Sequence, residues 1–368
     1  MPRIKAGKLV LGFLVYGLTI SVVVVLAGFW WLDREFKKPG PLSEAKLFDV
    51  EPGASSGGIA QKLAAEGVIE HAFVFKIAAR VTGAQSGLKA GEYELPPGVS
   101  IREILALMQN GTTFGRRFTI PEGLTSYEIV QIVNAIPELS GEVVQIPAEG
   151  MLLPNTYDYK RNEDRQQLLK RVENAMRREV LLACGYLHDA LDWNAVGSMS
   201  SEQFSSYACP EDVEKKRFGG MEPTVKNVLT LASIVEKETA VAEERKRIAG
   251  VFLNRLKNGI ALQTDPTVIY AITKGKHKND GQGPLGRRLL SKDLEIDSPY
   301  NTYKYPGLPP GPIANPGRAA IEAVLDPEQH DFIYFVADGT GGHIFAATLE
   351  EHNRNVANWR KIRREQGK

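Results

Sequence analysis

The chain has 368 residues, of which 43% are hydrophobic, and its 45 basic and 44 acidic side chains leave a net charge of +1. That length exceeds one small domain and suits an anchor followed by two compact units. The balanced charge argues against a nucleic-acid partner and against an acidic solvating tail.

The N-terminus carries the strongest signal. Arg3, Lys5 and Lys8 precede an uncharged run from Leu9 to Leu32, which closes on Trp30 and Trp31. Such a run is long enough to cross a hydrocarbon core of ~30 Å as a helix, with its aromatics at the membrane interface. Positive charge on the short leading side predicts that side in the cytoplasm and the remaining chain outside. The run is longer than a signal-peptide core and no A-x-A site follows it, so we read an uncleaved single-pass anchor over residues 1–32.

Residues 33–43 are charged and bear Pro and Gly, as a linker would. Three related phrases follow: PGASSGGIAQKL from Pro52, PGVSIREILALM from Pro97 and PEGLTSYEIVQIV from Pro121. Each places Ser55, Ser100 or Thr125 just after a turn and ahead of apolar residues at helical spacing. Ser100 with Glu103, and Thr125 with Glu128, have capping-box spacing. The preceding stretches KLFDVEP, AGEYELPPG and GRRFTIPEG are strand-like. These strand–turn–helix units read either as scaffold or as a small polymer-binding module, with a first subdomain over residues 44–115.

A larger domain spans residues 116–368. Its expected elements are a helix near Arg165–Leu182, a polar insertion over residues 184–220, helices near Thr224–Lys237 and Glu243–Lys257, and a Pro-rich loop through SPYNTYKYPGLPPGPIANPG. A helix in AAIEAVLDP, two strands joined by the Gly-rich turn of FIYFVADGTGGHIFAATL, and a closing helix complete it. KGKHKNDGQGPLGRR is flexible in composition. The class is α+β. Cys184 and Cys209 form no CxxC pair and have no histidine cluster nearby, which argues against zinc; they either pair as a disulfide or pack as small hydrophobes.

Advancing 100° per residue from Val225 puts Val228, Leu229, Leu231, Ala232 and Val235 in one apolar arc. Glu236 falls inside that arc with small neighbours, and Glu238 lies at its edge. A lone buried carboxylate has a raised pKa and can serve as a general acid. The competing outcomes are that Glu236 pairs with Arg245, Arg247 or Arg255, or that the helix bends and exposes it.

The stretches LTLASIVEKETAVAEERKRIAGVFLNRL, LQTDPTVIYAI, YNTYKYPGLPPGPIANPG and YFVADGTGGHIF, with EGMLLPNTY, resemble the membrane-anchored endolytic murein transglycosylases of the YceG-like family. The resemblance implies a bacterial inner-membrane protein with a LysM-like first subdomain and a catalytic domain facing the cell wall. It implies lytic cleavage of peptidoglycan glycan strands, with the essential glutamate at Glu236. No metal or organic cofactor is expected. The alternative reading is a non-catalytic, membrane-tethered peptidoglycan-binding protein that recruits cell-wall synthases.

In the expected reaction Glu236 protonates the leaving oxygen of the MurNAc-β-1,4-GlcNAc bond. It then takes the proton of the muramic C6 hydroxyl as that oxygen closes a 1,6-anhydro end. A second carboxylate, or the sugar's 2-acetamido group, stabilises the oxocarbenium-like centre; Asp265 is the nearest carboxylate by motif. If Asp265 serves instead as the second carboxylate of a hydrolase, it becomes as essential as the acid. Substrate-binding candidates are Tyr157, Asn254, Gln263, Asp265, Thr267, Tyr300, Asn301, Thr302 and His343. For each there is a structural reading as well: a turn start for Asp265, a loop anchor for Tyr300, a core position for Tyr157 and a strand-end surface position for His343.

Overall fold

The computed structural model describes residues 3–210, 218–276 and 285–365, with side chains from residue 13 onward. The part of the insertion over 211–217, and the core of KGKHKNDGQGPLGRR over 277–284, lie outside the described residues. Contacts divide the chain into two units, Met1–Arg116 and Arg117–Lys368.

The first unit begins with helix α1 (Arg3–Lys37). Over Phe13–Lys37 its most apolar window has a mean hydropathy of 2.2 and no part of it is buried, which makes it the one helix among the described residues long and apolar enough to cross a membrane. The helix does not stop at Leu32. Lys37 pairs with Asp33 one turn earlier at 2.8 Å, and Arg34 and Lys37 suit the negative end of the helix dipole. The linker expected from Asp33 therefore starts only after Lys37.

Strand β1 (Lys46–Val50), helices α2 (Ser56–Ala65) and α3 (Ala72–Val81), strand β2 (Gly91–Leu95) and helix α4 (Ile101–Asn110) follow. β1 and β2 are antiparallel, with Lys46 opposite Leu95 and Val50 opposite Gly91. Ser55 accepts from Gly58 N to start α2, and a complete Ser100–Glu103 capping box starts α4. Phe48, Leu63, Phe75, Tyr93, Ile104 and Met108 form the unit's core.

In the second unit β3 (Arg116–Thr119) leads into α5 (Ser126–Asn134) through the Thr125–Glu128 capping box, and β3 pairs with β4 (Thr156–Tyr159). The long α6 (Arg165–Ala183) is followed by two short helices, α7 (Trp193–Ser198) and α8 (Ser201–Ser205), inside the polar insertion. A Cys184–Cys209 disulfide and the buried Phe204 and Phe218 tie that insertion to the main core.

Helix α9 (Val225–Glu238) is the centre of this unit. Every residue from Val228 to Val235 is buried, so its surroundings are apolar all round. It packs against α6, α8, α10 (Arg245–Lys257), α11 (Asp265–Thr273) and α12 (Arg318–Leu325). The antiparallel hairpin of β5 (Tyr334–Ala337) and β6 (His343–Ala346) packs under the closing α13 (Leu349–Glu365). Strands and helices are mixed, with helices dominating and the strands paired only two by two among the described residues.

Candidate active site

Helix α9 is started by Thr224, whose hydroxyl accepts from Asn227 N, and it ends at Glu238, where Thr239 turns extended at φ −141°. Glu236 and Glu238 share its last turn, but two helical steps separate their directions by about 200°. The two carboxylates therefore meet different surroundings.

Glu236 is locked. Its side chain is 5% exposed, Oε2 accepts from Gly317 N at 2.9 Å, and Oε1 lies 3.5 Å from Arg245 Nη2. The same guanidinium nitrogen lies 3.4 Å from Glu122 Oε2. Lys237 Nζ donates to Gly123 O at 3.1 Å, and Gly123 holds φ +75°, which favours glycine. A Cβ at Gly317 would collide with the Glu122 carboxylate. The end of α9 thus clamps the turn at 121–123 to the loop at 315–317. Burial raises the pKa of Glu236 and Glu122 adds to the rise, while the Gly317 N–H and Arg245 oppose it. Of the outcomes the sequence left open, the pairing of Glu236 with Arg245 is the one present.

Glu238 instead lines a cleft of about 520 Å³, shared with Gln263, Thr264, Asp265, Tyr303 and Tyr334. Burial pushes its pKa up to about 7; Asp265 adds to the rise, and Thr264 and His343 ease it. The Thr264 hydroxyl is buried and has no hydrogen-bond partner elsewhere.

The cleft wall is built by polar bolts. Gln263 adopts φ +55°, an uncommon conformation for a side-chain-bearing residue. It is held there by its N–H to Thr302 O at 3.1 Å and by Arg255 Nη2 donating to its Oε1 at 2.8 Å. The other donors of Arg255 reach Ala261 O and Ile333 O, each at 2.9 Å, so one guanidinium ties α10 to this loop and to the lead-in of β5. Asp265 opens α11 with Pro266 behind it, and its Oδ1 accepts from Tyr303 Oη at 2.7 Å.

Thr267, Asn301 and Thr302 are buried behind this wall rather than facing the cleft. Thr302 Oγ1 accepts from Thr264 N at 3.1 Å and meets Thr267 Oγ1 at 2.8 Å, while Thr267 donates to Thr264 O. Asn301 donates to Leu294 O and Ile296 O and accepts from Tyr303 N. Hydroxyls expected to meet sugar meet each other instead.

The remaining candidates lie elsewhere. Asn254 spends both amide protons on His330 O and Phe332 O. The Tyr157 hydroxyl donates to Leu153 O and its ring packs on Phe118. Tyr300 packs on Tyr270 with ring centroids 4.9 Å apart. His343 is gripped by Glu244 at both its N–H and its Nδ1, at 2.8 Å each. Of the nine binding candidates, Gln263 and Asp265 join Glu238 at the cleft. Tyr303 and Tyr334 are not among the residues singled out from the sequence, and Arg255 appears there only as a possible partner of Glu236. Tyr303 directly follows the three residues chosen from its motif, and an aromatic in a Pro-rich loop was the signal available.

A second buried carboxyl belongs to a structural network. Glu149 Oε1 accepts from Ser126 N at 2.8 Å and Asn315 Nδ2 at 3.1 Å. Burial lifts its pKa to about 7, partly offset by Ser126 and the Tyr270 hydroxyl. Asn315 also accepts from Leu152 N and donates to Leu124 O and Ser126 Oγ, so the segments at 124–126, 149–152 and 315 meet at one point. In the first unit Glu35, Glu70 and His71 offer atoms within 4.8 Å of one another, but the Lys38 ammonium already sits 3.0 Å from Glu70 and 3.7 Å from Glu35.

Comparison with known proteins agrees on one family. The model of the YceG-like family matches residues 48–358. A Bacillus subtilis protein named endolytic murein transglycosylase is 33% identical in an alignment that covers 83% of this chain and 82% of the relative. A Streptococcus pneumoniae protein of the same name is 32% identical over 84% of this chain, which spans 57% of that longer relative. A crystal structure of a YceG-like protein from Listeria monocytogenes is 32% identical, with a TM-score of 0.46, and the match covers 84% of this chain and 98% of that one.

Proposed function

The chain belongs to the YceG-like family, and on that premise we propose that it is a membrane-anchored endolytic lytic transglycosylase of peptidoglycan with Glu238 as its acid–base residue. The observation that carries the assignment is a buried carboxyl, pushed up to about 7, in the lining of a cleft of about 520 Å³ that it shares with exposed Gln263 and Asp265. A carboxyl in that range is part protonated near neutral pH, as a group that must first give and then take a proton requires.

Protonated Glu238 donates to the glycosidic oxygen between N-acetylmuramic acid and N-acetylglucosamine. The C1–O bond breaks, and the resulting carboxylate takes the proton from the muramic C6 hydroxyl as that oxygen bonds to C1. The product is a 1,6-anhydro end, and no water is consumed. Gln263 and Asp265 hold sugar hydroxyls in the same cleft, Gln263 oriented by Arg255 and Asp265 by Tyr303. The oxocarbenium-like centre is stabilised by Asp265 or by the sugar's 2-acetamido group.

In this reading α1 is the anchor in the inner membrane, with its basic tip in the cytoplasm. The Cys184–Cys209 pairing supports an oxidising, extracytoplasmic setting for the second unit. The first unit serves as a LysM-like module that holds glycan, and cleavage of nascent strands ends their elongation beside the synthases. The test incubates the detergent-solubilised full chain with uncrosslinked glycan strands in heavy-oxygen water. Anhydro ends without solvent oxygen are expected; reducing ends carrying solvent oxygen would show a hydrolase and overturn the assignment.

A further inference from the structure

Helix α3 is apolar on more sides than the core of its unit uses. Val74, Phe75 and Ala79 are buried. Phe73, Ile77 and Val81 recur every four residues along one outer stripe and are 49%, 40% and 75% exposed. A solvent-facing helix seldom repeats large apolar residues in this way. Lys76 and Arg80 border the stripe on one side.

The other side of α3 meets the end of α1. The Phe73 ring stacks on Trp31 with centroids 5.8 Å apart. An apolar groove of about 220 Å³ runs between the helices, lined by Phe29, Leu32 and Phe36 from one and Ile77 and Val81 from the other. Trp31 sits where the apolar run gives way to Asp33 and Arg34, which is the headgroup level for a spanning helix. The stack therefore sets Phe73 at that same depth.

We propose that the Phe73–Ile77–Val81 face of α3 lies in the outer leaflet's interface, with lipid acyl chains filling the groove beside α1. The occupant is the bilayer, because the stripe is continuous with the lipid-facing surface of α1 and is held within one ring contact of its aromatic belt. Lys76 and Arg80 face anionic headgroups alongside. The first unit is then a lipid-seated collar that fixes the height of the chain above the membrane. This inference rests on α1 spanning the bilayer.

The test reconstitutes the full chain in vesicles of phosphatidylethanolamine and phosphatidylglycerol, with single cysteines at Tyr16, Ile77, Val81 or Gln61 carrying an environment-sensitive fluorophore. Lipids bearing quenchers at the interface should remove most emission at 77 and 81 and leave Gln61 on α2 bright; deep quenchers should dim Tyr16. Dim Tyr16 with bright 77 and 81 overturns the collar and leaves the anchor standing. Bright Tyr16 overturns both. Quenching at 77 and 81 that tracks protein density rather than quencher lipid assigns the stripe to a second copy and also overturns the proposal.

Discussion

Glu149 and Glu238 occupy two regions of the same unit, and burial pushes both carboxyls up to about 7. Their surroundings differ in kind. Glu149 sits among committed donors, Ser126 N and Asn315 Nδ2, inside a network that pins three segments together. Glu238 borders a cleft, with a buried Thr264 hydroxyl beside it and exposed Gln263 and Asp265 in the same lining. A perturbed pKa therefore marks desolvation, and only the open face separates a reacting group from a bolt.

The comparison breaks first on pH and rate. With Glu238 as the acid, the rate of glycan cleavage should fall about tenfold per pH unit above about 7. Glu149→Gln should leave that limb in place; a limb that moves with Glu149 would exchange the two roles. Next in size is Asn315→Ala, which strands Leu152 N and removes the Nδ2 donor from the Glu149 carboxyl, and which should cost about 3 kcal/mol in denaturant unfolding. A cost near zero would mean the network holds nothing.

Glu149→Gln tests the structural side more finely. The raised pKa means that the folded chain holds the proton more tightly than the unfolded chain, so this group's contribution to stability falls as pH rises from its ordinary value of 4.5 to about 7. Glutamine keeps an acceptor for Ser126 and carries no charge. The variant should match the parent near pH 4 and exceed it by on the order of 2 kcal/mol above pH 7, by thermal or denaturant unfolding. The smallest effect is expected from Asp265→Asn, which weakens the Tyr303 hydrogen bond and should slow cleavage about tenfold. A loss as complete as that of Glu238→Gln would favour the hydrolase with Asp265 as its second carboxylate.

Much of the frame was legible before any coordinates. Ser100–Glu103 and Thr125–Glu128 are local signals, and both helices start there. The apolar arc of α9 marks a buried helix, and the helix is buried. What the arc cannot tell is what covers each face. Glu236 has the more central angle, but Arg245 arrives from α10 and Gly317 from a loop about 80 residues downstream to close over it. Glu238 lies at the edge of that arc, and the structure places it in the lining of the cleft. Thr267 and Thr302 show the same limit: a hydroxyl in a polar motif suits a sugar or another hydroxyl, and only packing decides. The end of α1 is not legible in the sequence because charge there reads as a linker, whereas Lys37 and Asp33 extend the helix by pairing.

The central claim is that the reacting carboxyl is Glu238 and that Glu236 is an anchor. The most direct measurement is the rate of anhydro-end formation by Glu238→Gln and Glu236→Gln, side by side, after both are shown to be folded. Glu238→Gln should lose about 10²- to 10⁴-fold, while Glu236→Gln, whose amide oxygen still accepts from Gly317 N, should retain most of its activity and lose some stability. Activity abolished in Glu236→Gln and kept in Glu238→Gln would contradict the account.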